Sequence, residues 1–112
     1  MRPWERALKN MRESRDPSVQ EDAFGFLRVH AAELVAELRT AYEAETKHGT
    51  KCWLLELLGE ARDPALEDLF ESALDGTDES LRSWAARGLR KLDTKTARTI
   101  LWRHSHPEDT GR

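Results

Sequence analysis

Cysteine, proline and glycine are scarce in this sequence, and each shortage excludes a class of protein. The 112 residues include 1 Cys, 4 Pro and 6 Gly. A single thiol, Cys52, cannot form an internal disulfide bond, which is typical of proteins that work in the reducing cytoplasm. The proline and glycine content is too low for a disordered chain or a flexible linker. We therefore expect a folded, cytoplasmic protein.

The sequence also lacks a long apolar segment. No run approaches the ~20 apolar residues that a membrane-spanning helix needs. The first 15 residues carry five basic side chains and no apolar centre, unlike a secretory signal. We therefore expect no contact with a membrane. What the chain does have is charge: Asp, Glu, Lys and Arg make up 35% of it, yet the net charge is only −3.

Apolar residues recur at spacings of three and four, and no segment alternates with a period of two. This pattern predicts an all-α fold, and the length predicts a single domain. Asp16–Pro17 and Asp63–Pro64 are typical helix starts, because Asp caps the helix and Pro occupies its first position. Thr94 is expected to cap the last helix in the same way.

The predicted helices form pairs that recur with a period of 31 residues. At this offset Trp53 coincides with Trp84, and Leu27, Leu58 and Leu89 share one column. Periods of this length are typical of stacked two-helix repeats, in which each unit buries its apolar face against its neighbours. We therefore predict a capping helix, three helical hairpins and a flexible polar tail, with the boundaries 3–15, 16–47, 48–76, 77–103 and 104–112.

Segment 78–92 resembles the first helix of a HEAT-like repeat of the PBS-lyase type. That pattern has an aliphatic residue followed by Arg, then two Ala, then Leu, and here Leu81–Arg82, Ala85–Ala86 and Leu89 match it. Segment 57–66 resembles the turn into the second helix, whereas the first hairpin departs from the pattern, with Gln20 in place of the Arg. The resemblance covers residues 16–103 and implies a short α-solenoid whose second helices line a concave face.

The charges are segregated along the chain. The net charge is +2 for residues 1–16, −3 for 17–47, −5 for 48–76 and +3 for 77–112. Such asymmetry affects the choice of partner and the rate of association rather than the fold. Since the resemblance places the second helices on the concave face, it also implies that this face is acidic over the first two hairpins.

On these second helices we predict a partner-binding surface, which combines acidic side chains with a basic residue and a tryptophan of the third hairpin. Its members are Glu33, Glu37, Glu67, Asp68, Glu71, Asp75, Arg98 and Trp102. Glu71 and Asp75 are the strongest candidates, because they lie too far along their helix to benefit from its positive N-terminal end. Two alternatives stay open: the acids only face solvent, and Trp102 is either a core residue or an exposed anchor.

The function that fits these features is non-enzymatic protein binding. One form is an inhibitor or immunity-type protein that covers a basic patch on its target through charge complementarity. The alternative is nucleic-acid binding through a C-terminal basic patch made of Arg87, Arg90, Lys91, Lys95, Arg98 and Arg103. The acidic net charge opposes that alternative. A tetrapyrrole chaperone, by analogy with phycobilin lyases, lacks a ligand set in this sequence.

No catalytic residues, metal ligands or cofactors are predicted. Cys52 has no His and acid near it in the sequence, which indicates a buried structural thiol. His30 and His48 are expected at the C-terminal ends of helices. His104 and His106, with Glu108 and Asp109, are ligand types without the supporting contacts that metal-binding histidines need. The sequence leaves the oligomeric state open.

The repeated aromatic and glycine positions have structural interpretations. Trp53 and Trp84 share a column, so we expect both to pack between adjacent hairpins. Three glycines, Gly25, Gly59 and Gly88, lie in or at the end of first helices, where close helix packing explains them better than phosphate binding.

Overall fold

The structure, a computed structural model, describes residues 1–107 and contains helices as the only regular elements in that range. This confirms the predicted all-α class. The tail positions 108–112, with Glu108 and Asp109, lie outside the described residues. The helices are α1 (Pro3–Glu13), α2 (Pro17–Val29), α3 (Val35–Ala44), α4 (His48–Ala61), α5 (Glu67–Asp75), α6 (Glu79–Leu92) and α7 (Lys95–Ser105).

Short polar side chains begin several helices where the sequence predicts them. Asp16, Asp63 and Thr94 each accept a hydrogen bond from a backbone N–H two or three residues further on, at 2.9–3.0 Å. These bonds satisfy N–H groups that the first helical turn leaves without a partner. Asp63 opens a short 3₁₀ turn, Pro64–Leu66, so that α5 begins only after it. At the other end, α7 continues to Ser105, beyond the predicted start of the tail.

Helix α4 lies at the centre of the core. Eight of its 14 residues are buried, and it packs against α2, α3 and α6. Its four leucines, Leu54, Leu55, Leu57 and Leu58, are fully buried. Each of them stabilises the fold by roughly 1.5–3 kcal/mol through removal of apolar surface from water. No helix of the described residues is long and apolar enough to cross a membrane.

Two glycines allow α4 and α6 to approach each other closely. A Cβ atom on Gly59 would lie 3.4 Å from the Cα atom of Gly88, and a Cβ atom on Gly88 would lie 2.7 Å from two ring carbons of Phe70. Phe70 is fully buried. A Cβ atom on Gly25 would meet nothing within 4 Å. Close packing therefore explains Gly59 and Gly88, but the expectation that it also explains Gly25 is wrong.

Glu45, in the turn between α3 and α4, is a buried acid that links α1 to the rest of the molecule. One carboxylate oxygen lies 2.7 Å from Nε of Arg12, and the other accepts hydrogen bonds from the N–H groups of Thr46 and Lys47 at 3.2 and 3.1 Å. Burial alone raises the pKa of Glu45, but the Lys47 N–H and Arg12 outweigh burial and hold this pKa below its ordinary value.

The lowered pKa of Glu45 predicts a pH-dependent contribution to stability. A group whose pKa falls on folding stabilises the protein above its unfolded pKa, and this contribution is lost as the pH falls through the folded pKa. We expect Glu45→Gln to lower the free energy of unfolding by about 1–3 kcal/mol near neutral pH, because a buried charged hydrogen-bond network is broken. Urea unfolding of both proteins, near neutral pH and at about pH 3, measures the difference.

The difference between wild type and Glu45→Gln is expected to shrink at the acidic pH, where wild-type Glu45 is itself protonated. Glu13→Gln is the matched control, since this substitution removes the same charge at an exposed position of α1. A difference that stays constant with pH, or that Glu13→Gln reproduces, contradicts the role given to Glu45.

The glycine geometry predicts opposite effects for the same substitution at two positions. Gly88→Ala is expected to destabilise the protein by about 1–3 kcal/mol, because its Cβ atom overlaps the buried Phe70 ring. Gly25→Ala is expected to stabilise it by up to about 1 kcal/mol, because Ala has the higher helix propensity and the space is open. Thermal unfolding of both variants tests this, and effects of the same sign would contradict the packing described.

Candidate functional site

The predicted partner-binding residues lie on α3, α5 and α7 and on the 3₁₀ turn before α3; we call this the second-helix surface. Glu33 is in that turn, and Glu37 is in the first turn of α3. The four acids Glu67, Asp68, Glu71 and Asp75 follow one another along α5. Arg98 and Trp102 are on α7, which packs against α5.

Two of these acids hold helices together. The guanidinium of Arg39 on α3 contacts both carboxylate oxygens of Asp68, at 3.0 and 3.3 Å, and this hydrogen bond lowers the pKa of Asp68. Glu67 accepts a hydrogen bond from the hydroxyl of Thr94, the residue that caps α7. Glu67 and Asp68 thus join α5 to α7 and to α3, and their side chains are already engaged within the protein.

The other two acids of α5 line a shared cavity. Glu71 and Asp75 face Ile100, Arg103 and His104 of α7 across a space of about 310 Å³. Nε2 of His104 lies 2.8 Å from Oδ1 of Asp75. Among the described residues, Glu71 makes no hydrogen bond or ion pair. This cavity is the place where the structure brings predicted site residues together.

Trp102 is exposed, so it is not a core residue of the last hairpin. Its relative exposure is 51%, whereas Ala97 and Ile100 are the buried residues of α7. The indole stacks on the ring of His106, with centroids 4.3 Å apart, and Nδ1 of His106 lies 2.9 Å from the carbonyl oxygen of Trp102. Large exposed aromatics held in one orientation are typical anchors of protein interfaces.

Arg98 does not extend the second-helix surface. Its guanidinium turns back to the α6–α7 connection and contacts the carboxylate and the carbonyl oxygen of Asp93 at 3.0 and 2.7 Å. Asp93 has a φ of 48°, in the left-handed region. The ion pair therefore stabilises this turn, and the Arg98 guanidinium is already engaged within the chain.

The alternative basic patch is divided by contacts within the chain. Lys91 pairs with Glu60, and the guanidinium of Arg87 lies 4.7 Å from the ring centroid of Trp84. Arg103 faces the cavity that contains Glu71 and Asp75. Of the six predicted cations, Lys91 and Arg98 make ion pairs among the described residues, whereas the exposed side chains of Arg87, Arg90, Lys95 and Arg103 make none.

A cluster of Cys52, His48 and Asp78 was missed at the sequence level. His48 begins α4 instead of ending a helix, so its predicted placement is wrong. Nε2 of His48 lies 2.8 Å from Oδ2 of Asp78 and 3.7 Å from Sγ of Cys52. The one signal in the sequence was the spacing of His48 and Cys52, which are four residues apart and share a helix face. Asp78 is distant from both in the sequence and comes close to them because α4 packs against α6.

This cluster does not activate the thiol. Burial, followed by the charge of Asp78, raises the pKa of Cys52. A nucleophilic cysteine needs the thiolate form, which a raised pKa disfavours. Asp78 also accepts a hydrogen bond from the N–H of Leu81 and so caps α6, which gives the carboxylate a structural role. No group of three or more His, Cys, Asp or Glu side chains within residues 1–107 is arranged to hold a metal ion.

Comparison with known proteins does not assign the chain to a family. No family model matches it, and neither a curated protein nor a solved structure matches it either.

Proposed function

We propose that the chain is a short HEAT-like α-solenoid that works as a non-enzymatic protein-binding module. Its second-helix surface binds a basic patch on a protein partner, as in an inhibitor or immunity-type protein of the cytoplasm. The observation that carries this proposal is the convergence of Glu71 and Asp75 on one cavity beside α7.

Contacts at the repeat spacing support the solenoid. Lys91 pairs with Glu60, 31 residues earlier, and His104 pairs with Asp75, 29 residues earlier. The second helix of each pair packs on the first helix of the next, α3 on α4 and α5 on α6. Contacts between neighbouring units at separations close to the repeat period are what stacked hairpins require.

The positions of Asp75, which contacts His104, and of Glu71 support the binding surface. Asp75 is in the last turn of α5, where a negative charge is unfavourable for the helix dipole. Glu71 has no partner among the described residues, so a partner's Lys or Arg would meet an available carboxylate. The exposed ring of Trp102 lies on the adjacent helix and provides apolar contact area. Acidic side chains suit a cationic protein surface better than a phosphate backbone.

Charge reversal in the cavity is the direct test of this surface. We expect the double variant Glu71→Lys/Asp75→Lys to fold as the wild type does and to lose the protein that the wild type captures from cell extract. The control Glu13→Lys/Glu79→Lys makes the same change in net charge at exposed positions of α1 and α6 and is expected to retain the capture. Circular dichroism and thermal unfolding verify the fold, and equal capture by both double variants would contradict the proposed surface.

The nucleic-acid alternative is tested separately with duplex DNA. Because Lys91 and Arg98 are paired within the chain and the net charge is −3, we expect no binding at micromolar concentrations near physiological salt. Fluorescence anisotropy of a labelled duplex, measured over a range of salt concentrations, detects binding. Micromolar affinity that falls steeply with salt is the signature of phosphate contacts. That result would contradict the proposed protein binding and favour nucleic-acid binding.

A further inference from the structure

A groove between the first helices α2 and α4 lies apart from the second-helix surface. Its volume is about 380 Å³, and its apolar walls are Phe24 and Trp53. The two rings meet edge to face, with centroids 6.3 Å apart and an angle of 60°. Gly25 leaves one side of the groove open, since a Cβ atom there would meet nothing within 4 Å.

Of the polar side chains that line this groove, Gln20, Glu21, Arg28 and Glu56, the carboxylate of Glu56 is the one on α4 with Trp53. Glu56 is half-buried beside Trp53, and among the described residues it makes no hydrogen bond or ion pair. Burial, followed by the charge of Glu60, raises its pKa, although the cations Lys91, Arg28 and Arg87 act in the opposite direction. The nearby cations therefore do not offset the effect of burial and of Glu60 on this pKa, and an additional cation would stabilise the charged form of the carboxylate.

The nearby cations are committed elsewhere. Lys91 pairs with Glu60, and Nε of Arg28 lies 3.6 Å from the other carboxylate oxygen of Glu60. Arg87 lies over the ring of Trp84. Arg28 and a second acid, Glu21, also line the groove. Glu56 thus has an aromatic neighbour, Trp53, and makes no ion pair among the described residues.

The repeat itself provides a template for the missing cation. At the offset of 31 residues, Trp53 corresponds to Trp84 and Glu56 corresponds to Arg87. In the third hairpin the Arg87 guanidinium covers the Trp84 ring at 4.7 Å. In the second hairpin the residue at that position is an acid, and no cation of the described residues covers the Trp53 ring.

We propose that the groove between α2 and α4 binds an arginine side chain of a protein partner, with its guanidinium over Trp53 and hydrogen-bonded to Glu56. A guanidinium suits this site because it is planar, stacks on aromatic rings and donates two parallel hydrogen bonds to a carboxylate. The site needs no contact with the second-helix surface, so either proposal can fail without the other.

A pair of peptides tests the chemistry on the unaltered protein. The probes are acetyl-Gly-Arg-Gly-amide and the same peptide with citrulline, a neutral side chain of nearly the same shape. The readout is the indole N–H resonance of Trp53 in ¹⁵N-labelled protein. We expect saturable shifts with the arginine peptide and an affinity at least about tenfold lower with the citrulline peptide. Equal shifts with both peptides, or none with either, would overturn the proposal.

Three conservative variants locate the binding. Glu56→Gln is expected to lower the affinity for the arginine peptide about tenfold, because the substitution removes the negative charge and keeps the shape of the side chain. Arg28→Gln is expected to raise the affinity for the arginine peptide, because the substitution removes a positive charge that lines the groove and repels the guanidinium. Glu71→Gln, on the second-helix surface, is expected to change nothing. Unchanged affinity in Glu56→Gln would exclude the site, and weaker binding in Arg28→Gln would indicate an anionic occupant instead.

Discussion

The close approach of α4 and α6 at Gly59 and Gly88 is the packing constraint on which the rest of the molecule depends. Neither glycine carries a side chain, and the Phe70 ring of α5 occupies the space that a Cβ atom on Gly88 would need. Three helices therefore meet at one point of the core. The same approach brings Glu60 of α4 within reach of Lys91 of α6, so the packing and the surface ion pair share one cause.

The division of the acids into structural and available groups follows from this arrangement. Glu45 links α1 to the α3–α4 turn, and Glu60 and Asp68 each pair with a cation of another helix. These carboxylates are already engaged in contacts between elements of the protein. Glu71 and Glu56 differ, since each lines an open space and has no ion pair among the described residues. The net charge of the chain does not distinguish these two groups.

Local features were predictable from the sequence, whereas contacts between distant residues were not. Helix starts at Asp16 and Thr94 depend on a side chain and an N–H a few residues away, so their signals lie within one short segment. The contact of His48 with Asp78 depends on how α4 and α6 pack, and no local pattern contains that information. The exposure of Trp102 was undecided for the same reason, since it depends on which face of α7 meets α5.

Two columns of the 31-residue repeat differ in how strictly their residues are kept from one copy to the next. Leu27, Leu58 and Leu89 share a column and are all fully buried, because every hairpin needs the same apolar contact. The column of Glu56 and Arg87 changes the sign of its charge between neighbouring hairpins, while the adjacent tryptophan is kept. The Arg87 guanidinium lies over the ring of Trp84, whereas no cation within residues 1–107 lies over the ring of Trp53. In the proposed site, an arginine of the partner takes the position over Trp53 that Arg87 takes over Trp84.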